Sequence, residues 1–306
     1  MSVTLPVRVA PRQTPPRLEP EAAAGTRPQR SQWGLAGRQF RRHRLALVGA
    51  IVFGLLCVSA VAAPLSPYDP NRTSLLLRFA APSLQHPMGT DDLGRDELTR
   101  ALIGGRVSLA VGVMAMLVSI VAGTLVGAFA GYFGGAIDSV LMRLTEMFIA
   151  FPQLFILILL AALFGTSFWT IVFVVGLLRW MSVARLVRAS FLQFKQQEFV
   201  VAARALGAPT GSIMWRHILP SALSSIIVAA TLGVAGAILT ESTLSFLGLG
   251  IQLPTATWGN MLRAAQNDMA TAPWLAFFPG FFIFLTILSI NYVGDGLRDA
   301  LDPRKT

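Results

Sequence analysis

The residue whose chemistry is least expected for its surroundings is Glu241, the one acidic side chain inside the apolar stretch 223–247. An ionisable group in such a stretch is energetically costly unless it faces protein or water. Two interpretations remain open for Glu241 and the nearby Ser245. In the first, Glu241 accepts hydrogen bonds from Thr240, Ser242 or a partner helix and holds an outer gate closed. In the second, Glu241 faces a solute pathway and attracts a cationic group.

The remaining chemistry-bearing residues do not form a catalytic or metal-binding pattern. The three histidines, His43, His86 and His217, lie far apart in the sequence, and Cys57 is the only cysteine. The chain has no G-x-x-x-x-G-K-[ST] loop for nucleotide phosphates, no G-x-S-x-G and no H-E-x-x-H. We therefore predict a protein that is not an enzyme, has no catalytic or metal-binding residues and carries no cofactor.

Composition places the chain in a membrane. Of its 306 residues, 54% are hydrophobic and 13% are charged, about half the charged fraction of a typical soluble domain. The apolar residues are bunched rather than periodic, as in an integral membrane protein. The formal net charge of +10 raises nucleic acid as an alternative partner. The basic residues lie mainly between the apolar runs, however, which favours orientation in a bilayer over nucleic-acid binding.

Six apolar runs predict an all-α, polytopic membrane protein with six transmembrane helices. A helix needs about 20 residues to cross the hydrocarbon, so the fourth run is short. The C-terminal end of its helix is left undetermined between Met181 and Arg185. The predicted spans are 45–63, 107–130, 140–163, 168–181, 223–247 and 274–292.

The distribution of basic residues predicts that both termini are cytoplasmic. Four arginines in 38–44 precede the first span, and the segment 182–222 has five basic residues against Glu198. The segment 64–106, on the opposite side, balances five arginines with five acidic residues. We predict a disordered, basic cytoplasmic segment at 1–37, followed by a six-helix transmembrane domain at 38–306.

Three local patterns predict how the spans pack. Gly123, Gly127 and Gly131 are four residues apart, a spacing that lets two helix backbones approach closely. Arg143 and Glu146 are three apart in the third span and share a helix face on which they can pair. In the same span, Pro152 predicts a kink.

The segment 191–220 interrupts the apolar pattern and predicts a helical projection from the membrane. The run 191–206 is predicted to be one helix with Phe191, Phe199, Val200, Ala203 and Leu206 on one face. The triplet Gly207-Ala208-Pro209 ends it, because glycine suits a helix C-terminus and proline blocks continuation. Thr210 or Ser212 is predicted to cap a second short helix, and Pro220 marks the return to the membrane. On physical grounds alone, a pair of amphipathic helices resting on lipid headgroups is an equal alternative.

The order of residues within this projection resembles the cytoplasmic signature of permease subunits in binding-protein-dependent ABC importers. That signature has Glu-Ala-Ala, three residues, Gly, and Leu-Pro twelve and thirteen residues beyond. The matching positions are Ala202, Ala203, Gly207, Leu219 and Pro220. Val201 stands where the family usually has Glu, and His217 where it often has Ile. The resemblance implies that these residues, with Arg204 between them, form a coupling helix that docks in a groove of an ATPase subunit.

Three further motifs resemble the dipeptide, oligopeptide, glutathione and nickel branch of this family. They are "MGTDDLGRDELTRALIGGRVSL" at 88–109, "LSFLGLGIQLPTATWGNML" at 244–262 and "GDGLRDALDP" at 294–303. Together with the coupling signature they cover most of 38–303, in the family's order. The resemblance is to the second of the two paired permeases of a peptide-type importer.

The resemblance implies an architecture, a mechanism and a set of partners. The architecture is that of a type I ABC importer permease in the bacterial inner membrane. The chain supplies half of a path that rocks between outward-open and inward-open states. Its partners are a homologous second permease, two ATP-binding subunits, an extracytoplasmic solute-binding protein and the surrounding lipid, with no nucleic acid. The cargo is a di- or oligopeptide or glutathione, with nickel as an alternative.

Two rival classes remain. A self-contained secondary transporter usually has internal repeats and charges buried at mid-depth. No convincing repeat relates the two halves of this sequence, although Glu241 could serve proton coupling. A membrane scaffold without a transport role is the other rival, and the specific docking signature argues against it.

Overall fold

The computed structural model describes residues 32–301, and the described chain is helical, with no β-strand in that range. The all-α prediction is confirmed. Short 3₁₀ turns occur at Ala63–Leu65 and Leu75–Leu77, and a π-helical turn occurs at Ile213–Ile218. The α-helices are α1 (Gln32–Arg42), α2 (Arg44–Ala62), α3 (Glu97–Phe133), α4 (Gly135–Ala150), α5 (Gln153–Phe164), α6 (Phe168–Phe194), α7 (Glu198–Ala205), α8 (Thr210–Ser212), α9 (Leu219–Phe246), α10 (Trp258–Ala265) and α11 (Trp274–Leu301).

Five helical segments of the described chain are long and apolar enough to cross a membrane, and a bent pair raises the number to six. The five are α2 with its 3₁₀ extension, α3, α6, α11 and the continuous run Thr210–Phe246. The third predicted span, 140–163, corresponds to the pair α4 and α5, which meet at 88°. Pro152 is the N-cap residue of α5 and has no N–H to continue α4, so its predicted kink is a complete break.

Several predicted spans were drawn shorter than their helices, including the sixth, which continues to Leu301, and two of them show why. The second begins at Glu97 rather than Val107, because Asp96 caps the helix with a side-chain bond to the Thr99 N–H. The fourth continues from Met181 to Phe194 and carries its basic residues beyond the apolar run. Both extensions lie in polar sequence that an apolar count excludes but that a helix accepts.

The centre of the bundle is a parallel pair of long helices, α3 and α6. A Cβ placed on Gly123, Gly127 or Gly131 would lie within 3 Å of a backbone carbonyl oxygen of α6. The predicted close approach of two backbones at these glycines is therefore confirmed. The helix α9 crosses the same pair in the opposite direction, with Gly112 of α3 against Ile238 of α9.

The two ends of the bundle differ in how they are built. We call the end with residues 195–218 the projection end. The opposite end, formed by 64–96 and 248–273, is the cap end. The described chain starts and finishes at the projection end, where His43 Nε2 lies 3.8 Å from Asp299 Oδ2.

Two sequence predictions need correction near these ends. Residues 32–37, predicted to be disordered, belong to α1, so the boundary at 38 falls inside a helix; the rest of that segment, 1–31, lies outside the described residues. Arg143 and Glu146 are both exposed and form no ion pair with each other. The charge that stabilises α4 is Asp138, which pairs with Arg188 of α6.

Candidate functional sites

The projection is built from a tight turn, a short helix and a helix stop. The helix α6 ends at Phe194, three residues turn the chain, and α7 begins at Glu198. The prediction of one helix over 191–206 was therefore wrong. A contact distant in sequence holds the turn, since Lys195 Nζ donates to the Tyr132 carbonyl oxygen of α3 at 2.5 Å.

The helix α7 ends just before the triplet Gly207-Ala208-Pro209, as predicted. Gly207 has a φ of 77°, a left-handed conformation that residues with a Cβ resist. The Gly207 N–H donates to the Arg204 carbonyl, and the Ala208 N–H donates to the Ala203 carbonyl, both at 3.0 Å. These two bonds are those of a Schellman motif. Pro209 follows in extended conformation and lacks the N–H that would prolong the helix.

The second helix of the projection is continuous with the membrane span. Its N-cap residue is Pro209, without a side-chain hydrogen bond, so the predicted capping by Thr210 or Ser212 was wrong. From α8 the chain passes through the π-helical turn into α9, and Leu219 and Pro220 begin α9. A π-helical turn is rare and is often found at a functional position.

An apolar core fixes the projection to the bundle. Val200 of α7 is fully buried and belongs to a cluster with Ile213, Met214 and Ile218 of the π-helical turn and Phe191 of α6. Beside this cluster, Arg188 Nη2 donates to Asp138 Oδ2 at 2.6 Å. The projection is thereby connected to α6 and, through Asp138, to the start of α4.

The outer surface of the projection exposes apolar side chains. Leu206 is 89% exposed and Val201 is 54% exposed, so the predicted common face, on which Leu206 and Phe199 join the buried Val200, does not exist. Among the predicted coupling residues, Ala202, Arg204, Gly207 and Pro220 are exposed, and Ala203 and Leu219 are half-buried. Exposed apolar residues mixed with arginine are typical of a protein interface.

Glu241 lies near the cap end, fully buried between helices. Its carboxyl oxygens accept hydrogen bonds from Ser245 Oγ at 2.7 Å and from Ser108 Oγ of α3 at 3.1 Å. The predicted donor Thr240 is not used, because its hydroxyl bonds to the Gly236 carbonyl, whereas the predicted bond from a partner helix is made by Ser108.

Further contacts through Ser108 and α3 join the cap-end segment 248–273 to the bundle. Ser108 Oγ accepts the backbone N–H of Trp258, at the start of α10, at 3.3 Å. The Trp258 indole N–H donates to the Ala101 carbonyl of α3 at 2.9 Å. Glu241 therefore joins α9 to α3 and, through Ser108, to α10.

A compact network of charges closes the cap end. Arg95 Nε lies 2.6 Å from Asp91 Oδ2, and Arg100 Nε lies 3.5 Å from the same atom. His86 Nδ1 lies 2.8 Å from Asp96 Oδ1, while the other carboxyl oxygen of Asp96 caps α3. All five side chains are buried, so the polar motif at 88–109 folds into a closed structure rather than an open polar surface.

Arg179 is a further candidate that the sequence interpretation did not single out. It lies near the middle of α6 and lines a cavity of about 220 Å³ between α3, α5, α6 and α9. A basic residue in the apolar run "VVGLLRWMS" was the available signal. Glu241 and Ser245 do not line this cavity.

Two family models match the chain. Residues 123–306 match "Binding-protein-dependent transport system inner membrane component". Residues 31–86 match "N-terminal TM domain of oligopeptide transport permease C". The first match includes the projection, the cavity-lining residues of α5, α6 and α9, and Glu241.

Curated relatives are similar over most of their length. The oligopeptide transport system permease protein OppC of Bacillus subtilis (strain 168) is 42% identical over 275 residues, which is 90% of each chain. The dipeptide transport system permease protein DppC of the same organism is 44% identical over 286 residues, 93% of this chain and 89% of the relative. OppC of Haemophilus influenzae is 42% identical over 278 residues, 90% of this chain and 89% of the relative.

Among solved structures, a crystal structure of an amino acid ABC transporter with histidines has a similar fold. Its TM-score is 0.51 at 17% sequence identity, and the match covers 65% of this chain and 92% of that one. At this identity the similarity concerns the fold.

Proposed function

Since this chain belongs to the family of binding-protein-dependent transport system inner membrane components, we propose that it is a permease subunit of an ABC importer for di- or oligopeptides. The observation that carries the proposal is the identity of 42–44% to oligopeptide and dipeptide permeases over about nine-tenths of the chain. The chain supplies half of the translocation path and does not itself hydrolyse ATP.

The proposed assembly has four other subunits. A homologous permease completes the path, two ATP-binding subunits supply energy, and a solute-binding protein delivers cargo at the cap end. The projection supports this arrangement, because it exposes Val201, Arg204 and Leu206 while Val200 anchors it in the core. We assign Ala202, Ala203, Arg204, Gly207, Leu219 and Pro220 to the coupling site.

A rigid projection can pass motion to the bundle. If ATP binding draws the two ATPase subunits together, it displaces the docked projection, which is continuous with α9 through the π-helical turn. Because α7 also packs on α6, two of the four helices that line the cavity, α6 and α9, move with it. The bundle then alternates between two rigid arrangements.

The proposed site of action is the bacterial inner membrane, with the projection end in the cytoplasm. Both ends of the described chain lie at that end, which supports cytoplasmic termini. Single cysteines introduced in a Cys57→Ser background test this. Positions 75 and 266 at the cap end should react with an impermeant maleimide from outside, and position 196 should not. Labelling of 196 from outside contradicts the orientation.

The transport activity is tested with the complete complex. The tagged chain is purified from its native membrane with its subunits and reconstituted into liposomes with the binding protein. We expect ATP-dependent uptake of radiolabelled dipeptide or tripeptide, and no ATP hydrolysis by the purified chain alone. Uptake of nickel without peptide uptake identifies the metal branch instead. Peptide uptake driven by a proton gradient without ATP supports a secondary transporter.

A further inference from the structure

The cavity around Arg179 combines one cation with neutral polar groups at the middle of the bundle. Gln153 of α5 and Ser182 of α6 supply an amide and a hydroxyl, and Met116, Ala229 and Gly233 supply apolar or small walls. No carboxylate of residues 32–301 lines it. Every polar group on the wall can donate a hydrogen bond, and the one formal charge is positive. The lining therefore favours an anion that accepts hydrogen bonds.

Arg179 has no ionic partner among the described residues. Arg95 and Arg100 are paired with Asp91, and Arg188 is paired with Asp138. The Arg179 side chain forms neither an ion pair nor a hydrogen bond within residues 32–301. A charged arginine at the centre of a membrane helix is energetically costly unless it is paired or faces water or a polar group. An unpaired arginine facing a cavity is therefore a candidate for binding a ligand.

Gly236 of α9 makes room for the guanidinium group. A Cβ at Gly236 would overlap the Nη2 atom of Arg179 and lie 2.9 Å from its Cζ. The planar group consequently lies against the bare backbone of α9 and beside the cavity. A guanidinium held in this way presents its fork of N–H donors with little loss of side-chain entropy on binding.

The volume of the cavity fits the end of a peptide better than a whole peptide. About 220 Å³ is below the roughly 300–1,000 Å³ of sites that enclose a complete small-molecule ligand. An anionic group at the end of a longer chain needs less room. The fork geometry of arginine matches a carboxylate, which accepts two parallel hydrogen bonds.

From these observations we propose that Arg179 binds the terminal carboxylate of the peptide during its passage through the bundle, with Gln153 and Ser182 as further hydrogen-bond donors. The inference rests on the proposed function, because it assumes a peptide cargo. It assigns to α6 a recognition step in the membrane, separate from recognition by the binding protein. Glu241 has no part in this step, since it is fully buried away from the cavity.

The test compares two probes in the reconstituted complex: trialanine and trialanine amide, which lacks the terminal carboxylate. Each variant is compared with the wild type for the same probe, so the preference of the binding protein cancels. We expect Arg179→Gln to reduce trialanine uptake about 10–100-fold and to change uptake of the amide by less than about twofold. Arg179→Lys keeps the charge but loses the fork, so an intermediate loss is expected.

Two further variants complete the design. Arg185→Gln is the matched control, because Arg185 is exposed on the same helix and does not line the cavity; it should leave both uptakes unchanged. Gly236→Ala should displace the guanidinium and reproduce the selective loss without altering charge. Should Arg179→Gln fail to assemble, Gly236→Ala and Arg179→Lys decide by the same criterion.

The outcomes separate this inference from the proposed function. A wild-type complex that imports neither probe, nor any other peptide, refutes the proposed function. If the wild type imports both probes but Arg179→Gln leaves trialanine uptake unchanged, only the role of Arg179 is refuted. An equal loss for both probes also refutes it and indicates that Arg179 pairs with an acidic residue of the second permease.

Discussion

The cap end and the projection end differ in what their side chains contact within the chain. At the cap end, Asp91, Arg95 and Asp96 are buried and satisfied by one another or by neighbouring groups. At the projection end, Leu206 and Val201 are left exposed on a short helix that is held from behind by Val200. The difference indicates that the charged residues of the cap end are satisfied within the chain, whereas the exposed apolar residues of the projection fit the docking surface proposed above.

This comparison has an energetic basis. Buried ion pairs are strongly destabilising when one partner is removed, because the remaining charge stays buried. Exposed apolar residues contribute little to the stability of the isolated chain but become favourable when a partner covers them. Substitutions at the cap end should therefore lower the stability of the fold, and substitutions at the projection should impair association.

The largest expected effect is that of Gly207→Asp at the projection. The substitution forces a side chain into a left-handed conformation and adds a negative charge to the docking surface. We expect insertion and thermal stability close to wild type, but at least about a 100-fold loss of ATP-driven uptake and of co-purifying ATPase. Gly37→Asp is the control, since Gly37 is exposed on α1 with no atom near its Cβ position. Normal transport by Gly207→Asp contradicts the coupling assignment.

A second, smaller effect separates docking from general hydrophobic exposure. Leu206 at the projection and Leu84 at the cap end are both highly exposed leucines. Leu206→Ala should raise the dissociation constant for the ATPase subunits about tenfold, whereas Leu84→Ala should leave it unchanged. Neither should alter thermal stability by more than about 0.5 kcal/mol. Equal effects of the two substitutions on ATPase affinity would remove the proposed contrast between the ends.

The third prediction concerns stability at the cap end. Asp96 caps α3 and contacts His86, so Asp96→Ala removes a helix cap and leaves buried donors without a partner. We expect a loss of about 2 kcal/mol in the free energy of unfolding, measured by denaturation in detergent. The nearby Asp92 lies 3.7 Å from Arg95 and its side chain is 44% exposed, so Asp92→Ala should cost less than about 0.5 kcal/mol. Similar losses would mean that the network is not closed.

The same contrast explains which features could be predicted from the sequence. The spans were recognisable because lipid selects long apolar runs, and the stop at Gly207 was recognisable because a Schellman motif depends on neighbouring residues. The start of α7 was missed because Lys195 stabilises the preceding turn through Tyr132, which is distant in the sequence. The extension of α3 to Glu97 was missed because its polar first turn is buried against protein rather than lipid.

The candidate sites show the same limit. Glu241 was recognised as an unusual acid, but its partner Ser108 lies on another helix, which the sequence pattern does not reveal. Arg179 was visible within the fourth predicted span, yet its lack of an ionic partner within residues 32–301 is a property of the folded bundle. Local rules thus predict residue types and helix ends, while partners across helices require the fold.

The smallest expected effect is that of Glu241→Gln, and it tests whether the completed cap end also serves transport. A glutamine keeps the shape of the side chain and an oxygen that accepts a hydrogen bond from one of the two serine hydroxyls. Its amide can donate to the other hydroxyl, because Ser108 and Ser245 can each act as donor or acceptor. Under the gate interpretation, uptake by Glu241→Gln should stay within about twofold of wild type, a change too small to reflect loss of a buried hydrogen bond.

Glu241→Ala removes both hydrogen bonds and should raise substrate-independent ATP hydrolysis in the assembled complex. Ser245→Ala should raise this hydrolysis by an amount between those of Glu241→Gln and Glu241→Ala. Uptake measured over several substrate concentrations gives the comparison. If Glu241→Gln abolished uptake of a peptide with a free amino terminus but spared an amino-blocked peptide, Glu241 would contact the cargo directly, and the cap end would have to be regarded as part of the pathway.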